Sequence, residues 1–176
     1  MKRLPLILIF VLFFSCSVFS QEGNASQFFV KSISAGIGVT GGDETSGGIG
    51  FNADVTTALN KNLFTLALAT GSELDLFDAH RNFFSADLLY GREFLVTRIF
   101  AIEAHAGVGI FSENYKNGDT NFREISESTL GIPVRLKFLF YVSPKFALGL
   151  NPNVNFNSIE TIYSGNLIFQ YNFGGK

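Results

Sequence analysis

Six residues carry most of the chemistry this chain could perform: Asp54, Asp87, Glu103, His105, Arg135 and Lys137. Three acids, two bases and an imidazole in one place could relay protons or hold a small polar ligand. They could equally do no more than neutralise one another, because buried charges need partners. Nothing in their spacing along the chain brings them together. His80 and His105 sit in no zinc-binding or triad spacing. "GGDETSGG" lacks the lysine and following helix of a phosphate loop and reads as a flexible connection. No catalytic residue, cofactor or metal is therefore expected. Whether the six residues meet depends on the elements that hold them.

Those elements alternate with a period of two. In the stretch 99–112, Phe100, Ile102, Ala104, Ala106, Val108 and Ile110 fall on one side. Glu103, His105, Gly107 and Gly109 fall on the other. This period marks β-strands. Eight such runs can be read, at about 28–40, 47–59, 63–73, 82–92, 99–112, 125–140, 146–157 and 161–173. The connections alternate between longer polar segments and short turns such as "NKN" and "VSPK".

The polar face carries Gly36, Gly38, Gly48, Gly50, Gly107, Gly109, Gly131 and Gly149. Glycine weakens a solvated strand but suits the crowded inside of a narrow barrel. The apolar face carries Leu66, Leu68, Leu130, Ile132, Val134, Leu136, Phe138, Leu148 and Leu150. Charged residues are 16% of the chain, well below the roughly 25% of soluble domains, and 21 residues are Phe. An apolar outside around a polar inside is the pattern of a membrane barrel. The expected fold is all-β: an eight-stranded antiparallel up-and-down transmembrane β-barrel of residues 21–176. Phe64, Tyr90, Phe94, Phe100, Phe140, Tyr141, Phe146, Tyr171 and Phe173 gather near the short-turn ends, where an interfacial girdle would sit.

Residues 1–20 read as a cleaved signal peptide. Lys2 and Arg3 precede an apolar run from Leu4 to Phe14, and Val18, Phe19 and Ser20 suit cleavage before Gln21. Cys16 allows a second reading, a lipidated N-terminus, although Phe13, Phe14 and Ser15 match a lipobox poorly. The formal net charge of −2 gives no basic footprint for nucleic acid.

Three segments carry a family likeness. "LLYGREF" (88–94), "LGIPVRLKF" (130–138) and the final strand "NLIFQYNF" (166–173) resemble segments of small bacterial outer-membrane β-barrel proteins. That family is porin-like, of the OmpA/OmpX-type size class, with its nearest flavour in Bacteroidetes-type bacteria. The resemblance implies an outer-membrane location, outer-membrane lipids as surroundings and a monomer. It also implies recognition by the barrel-assembly machinery through Leu167, Phe169, Tyr171 and Phe173. Gly174, Gly175 and Lys176 follow the terminal aromatic, a departure from the usual signal.

Folding each hairpin about its connection places Glu103 opposite Arg135, Asp87 beside Glu103 or His105, and Asp54 near that level. Lys137 lies one inward position below Arg135. The six would form one lumen belt, with a structural plug as its simplest role. The functions left open are a scaffold displaying loops, a narrow channel for ions or small solutes, an outer-leaflet lipid enzyme and a soluble ligand carrier. The scaffold is the expectation adopted, with no enzymatic activity.

Overall fold

The computed structural model describes residues 28–43, 47–73, 81–116 and 124–173. The signal-peptide reading, Cys16, His80 and the terminal Gly174 to Lys176 all lie outside them.

Eight strands form one closed barrel, each paired antiparallel to its neighbours in chain order, with β1 closing on β8. They are β1 (Phe28–Gly42), β2 (Gly48–Leu59), β3 (Asn62–Glu73), β4 (Arg81–Leu95), β5 (Phe100–Lys116), β6 (Glu124–Tyr141), β7 (Phe146–Asn157) and β8 (Ile162–Asn172). Closure leaves no edge along the body of the wall, so the backbone groups of the sheet satisfy one another. No helix occurs among the described residues.

Side chains alternate as the two-residue period requires. In β2, Gly48, Gly50, Asn52, Asp54, Thr56 and Ala58 are buried, while Ile49, Phe51 and Val55 are exposed. The exposed set is apolar around the whole wall: Leu66, Leu88, Val108, Leu130, Leu148 and Leu167 all belong to it. Leu130 is 77% exposed and Arg135 is 1% exposed. That ordering is the reverse of a water-soluble domain, where ionic groups stay wet and leucines do not.

The short turns are built from local chemistry. Leu59 pairs with Asn62, so Asn60 and Lys61 alone make the β2–β3 turn. Asn60 takes φ 57°, a left-handed conformation that asparagine tolerates better than most residues. At the β4–β5 turn, the Val96 and Thr97 amides both donate to the Phe100 carbonyl, at 3.1 and 3.0 Å.

Aromatic rings pack at this short-turn end. Phe28 lies against Phe64 and Phe64 against Tyr90, with centroids 6.5 and 5.7 Å apart. Phe100 packs on Phe140 at 4.7 Å, and Phe146 on Tyr171 at 5.1 Å. Tyr141 corrects the expected girdle. It falls on the inward phase of β6, and its hydroxyl donates to Glu93 Oε1 at 3.0 Å.

Candidate functional site

The interior of the barrel is the candidate site, and its strands position each polar group by register. Asp54 on β2 faces Arg135 and Lys137 on β6 across the lumen. Arg135 Nη1 lies 3.0 Å from Asp54 Oδ2, and Lys137 Nζ lies 2.8 Å from Asp54 Oδ1. Lys137 also donates to Ser34 Oγ at 3.1 Å. All three ionic side chains are 0 or 1% exposed. A single carboxylate thus takes charge-assisted bonds from two cations on neighbouring inward positions of one strand.

The register differs from the sequence expectation at two hairpins. Glu103 stands opposite Lys137, and it is His105 that stands opposite Arg135. The β5–β6 centre is displaced by one residue, which moves every cross-strand pair by two. Asp87 stands opposite Gly109, several residues from Glu103. Here β4 runs on to Leu95, beyond the expected end at 92, so its turn sits later in the chain. Asp87 accepts a hydrogen bond from Ser85 at 3.2 Å and makes no ion pair among the described residues. His105 Nε2 lies 3.9 Å from Glu103 Oε2, and neither ring nitrogen has a hydrogen-bond partner there. Its ring occupies the space left by Gly91, where a Cβ would overlap His105 Cδ2.

Glu103 finds its partner through a residue that alternation hides. The pairing of β1 with β2 shifts between Val30 and Ser32, so Lys31 is the extra residue of a β-bulge. A bulge turns two consecutive side chains to one face. Lys31 therefore points into the lumen beside Ser32, and its Nζ lies 2.5 Å from Glu103 Oε1 and 3.1 Å from Glu93 Oε1. Toward the long-connection end, Arg81 Nε lies 3.0 Å from Glu113 Oε1 and its Nη1 3.9 Å from Glu160 Oε2. Lys31, Glu93, Arg81, Glu113 and Glu160 were not singled out from the sequence. The last four could have been found by extending inward parity to the strand ends.

Between the ionic groups lie aromatic, apolar and amide side chains. Phe83 and Phe111 stack inside the barrel with centroids 5.7 Å apart. Leu139, Ala147 and Ile168 form a buried apolar cluster with Tyr141 against it. Asn151 and Asn155 of β7 are also buried inside. No group of His, Cys, Asp and Glu able to hold a metal ion occurs among the described residues. The arrangement neutralises charge and fills space.

By sequence, no family model matches the chain and no curated protein does. By structure, the barrel is similar to solved outer-membrane barrels. Neisserial surface protein A shares 14% identity at a TM-score of 0.64, over 86% of this chain and 100% of that one. A major outer membrane protein of Thermus thermophilus shares 15% at 0.61, over 85% and 100%. Ail, the attachment invasion locus protein of Yersinia pestis, shares 14% at 0.58, over 82% and 100%. At these identities the likeness is one of fold. The chain has the closed eight-stranded architecture of outer-membrane barrels.

Proposed function

We propose that this protein is a monomeric outer-membrane β-barrel whose lumen is plugged by ion pairs and whose outer end meets the environment. One observation carries the reading: Asp54, Arg135 and Lys137 are sealed inside while leucines and phenylalanines cover the outside. Only hydrocarbon accepts such a surface without aggregation. The short turns then face the periplasm and the longer connections the exterior.

Plugging supports a scaffold over a channel. An eight-stranded barrel is just wide enough for its own side chains to fill, and the buried Arg135, Lys137, Phe111 and Leu139 side chains support that reading. Against a lipid hydrolase stands the position of His105, which is buried in the lumen and not on the outer wall. Leu167, Phe169, Tyr171 and Phe173 form the outward row at the end of the chain, the side an assembly machinery would read.

The test is twofold. Refolded protein should migrate as a compact, faster band in detergent before boiling. In planar bilayers it should show no defined conductance step, whereas Arg135→Ala combined with Lys137→Ala should open one. A clear step in the parent protein would favour the narrow-channel reading instead.

A further inference from the structure

The outward rows in the short-turn half of the wall are apolar or aromatic, with one ionic exception. Among the described residues there, Arg92 alone carries a charge to the outside. It follows Leu88 and Tyr90 on the outward row of β4, and Phe94 lies beyond it toward the turn. Arg92 therefore sits within the aromatic girdle and not past it. The cost of a charge on a barrel wall falls away near the interface, and a long side chain can carry its head to the polar layer. Even so, Arg92 makes no ion pair among the described residues. Its cross-strand partners are Asn62 on β3 and Ala104 on β5, both uncharged.

Neutral groups hold the guanidinium in place. Arg92 Nε donates to Asn62 Oδ1 at 3.5 Å, and the Tyr90 hydroxyl donates to the same oxygen at 2.8 Å. The two Nη groups of the fork are left for an acceptor outside the chain. Lys61, exposed in the β2–β3 turn next to Asn62, adds a second positive charge at this corner. The neighbouring acid, Glu93, turns inward to Lys31 and Tyr141 and so does not answer either base. Toward the middle of the wall the surface is low. Ala104 and Ala106 of β5 stand between Arg92 and Tyr90 on β4 and Leu136 and Val134 on β6. Two alanines flanked by larger side chains make a shallow furrow that starts at Arg92.

We infer that this corner binds a single anionic phospholipid, with its phosphate on Arg92 and an acyl chain along the Ala104–Ala106 furrow. The inference rests on the orientation proposed above, in which the short turns face the periplasm and the adjoining leaflet is phospholipid. Three observations select the ligand. The planar fork of arginine matches two phosphate oxygens at once. Aromatic girdles lie at headgroup level, so the acceptor offered to Arg92 there is a lipid phosphate. Arg92 and Lys61 together carry more positive charge than a zwitterionic headgroup answers, which favours an anionic one. A free phosphate would leave the furrow unused.

The probe is dioleoylphosphatidylglycerol, mixed with the full protein in mild detergent and counted on the intact barrel by native mass spectrometry. A single retained lipid is expected, held more firmly than dioleoylphosphatidylcholine and poorly displaced by glycerol 3-phosphate. Arg92→Gln should weaken retention about tenfold, and Arg92→Lys, which keeps the charge but not the fork, by less. Ala106→Phe fills the furrow without touching a charge and should weaken it too. Lys145→Gln removes an exposed base from a different short turn and should leave retention as it was. Equal retention by the parent and Arg92→Gln, or an equal loss in Lys145→Gln, would overturn the proposal. So would glycerol 3-phosphate competing as well as the lipid, or firmer retention of lipid A, which would put the short turns at the other leaflet. Heat-modifiable migration of each variant reports the barrel separately, so a folded Arg92→Gln that retains lipid like the parent removes the site and leaves the barrel standing.

Discussion

Lys137 and Asp54 lie 83 positions apart in the chain, and their charged atoms meet at 2.8 Å in the middle of the barrel. Arg135 holds the other oxygen of the same carboxylate. Removing Asp54 takes away the carboxylate that both buried cations contact directly. Asp54→Asn should therefore cost about 3–5 kcal/mol, the range for breaking a buried pair. Unfolding by urea in detergent measures it. Replacing all three residues with apolar ones of similar volume should recover most of the loss. A single variant as stable as the parent would show that the pair contributes nothing.

Lys31 plays the same part nearer the short turns. Lys31→Met strands Glu103, whose side chain is wholly buried, and Glu93, whose side chain is 21% exposed. We expect a loss of about 3–5 kcal/mol for Lys31→Met. Glu93→Gln should cost less, since the amide still accepts from Tyr141 and its site is partly wet. The same unfolding assay ranks the two, and a reversed order would remove Lys31 from the plug.

Two glycines should respond oppositely to alanine. At Gly107 a Cβ would overlap the Leu88 carbonyl oxygen and lie 2.8 Å from Leu89 Cα. These are backbone atoms that cannot swing aside, so Gly107→Ala should cost about 1–3 kcal/mol or more. At Gly165 nothing lies within 4 Å of the added carbon. There Gly165→Ala should stabilise by about 0.5–1 kcal/mol, as loss of strand glycine does. Equal effects at both would mean that the wall is looser than described.

The lipid-facing wall is tested by charge. Val134 lies on the outward row of β6 and is 42% exposed. Val134→Arg should cost about 2–4 kcal/mol near the midplane. Unchanged stability in detergent would contradict that facing.

Strand number, order and facing were legible in the sequence because each rests on the two-residue period, which a tilted wall obeys along its length. Asp54, Lys137 and Asn151 all point where alternation puts them. Cross-strand levels were less legible. They depend on where each turn is centred, and Phe94 and Leu95 look like turn residues although they extend β4. That misplacement moved Asp87 away from Glu103. Lys31 was hidden for another reason. A bulge breaks the alternation used to find inward residues, and a lysine between Val30 and Ser32 bears no local mark of one.

The central claim is that the leucine-covered surface meets acyl chains. The protein has no tryptophan, so one placed on the wall reports alone. Single Leu66→Trp, Leu88→Trp and Leu148→Trp variants, reconstituted in bilayers of lipids brominated along the chain, measure the contact directly. Strong quenching at all three positions is predicted, on three different strands. Unquenched emission at these sites, from protein that stays monomeric in plain buffer, would contradict the account.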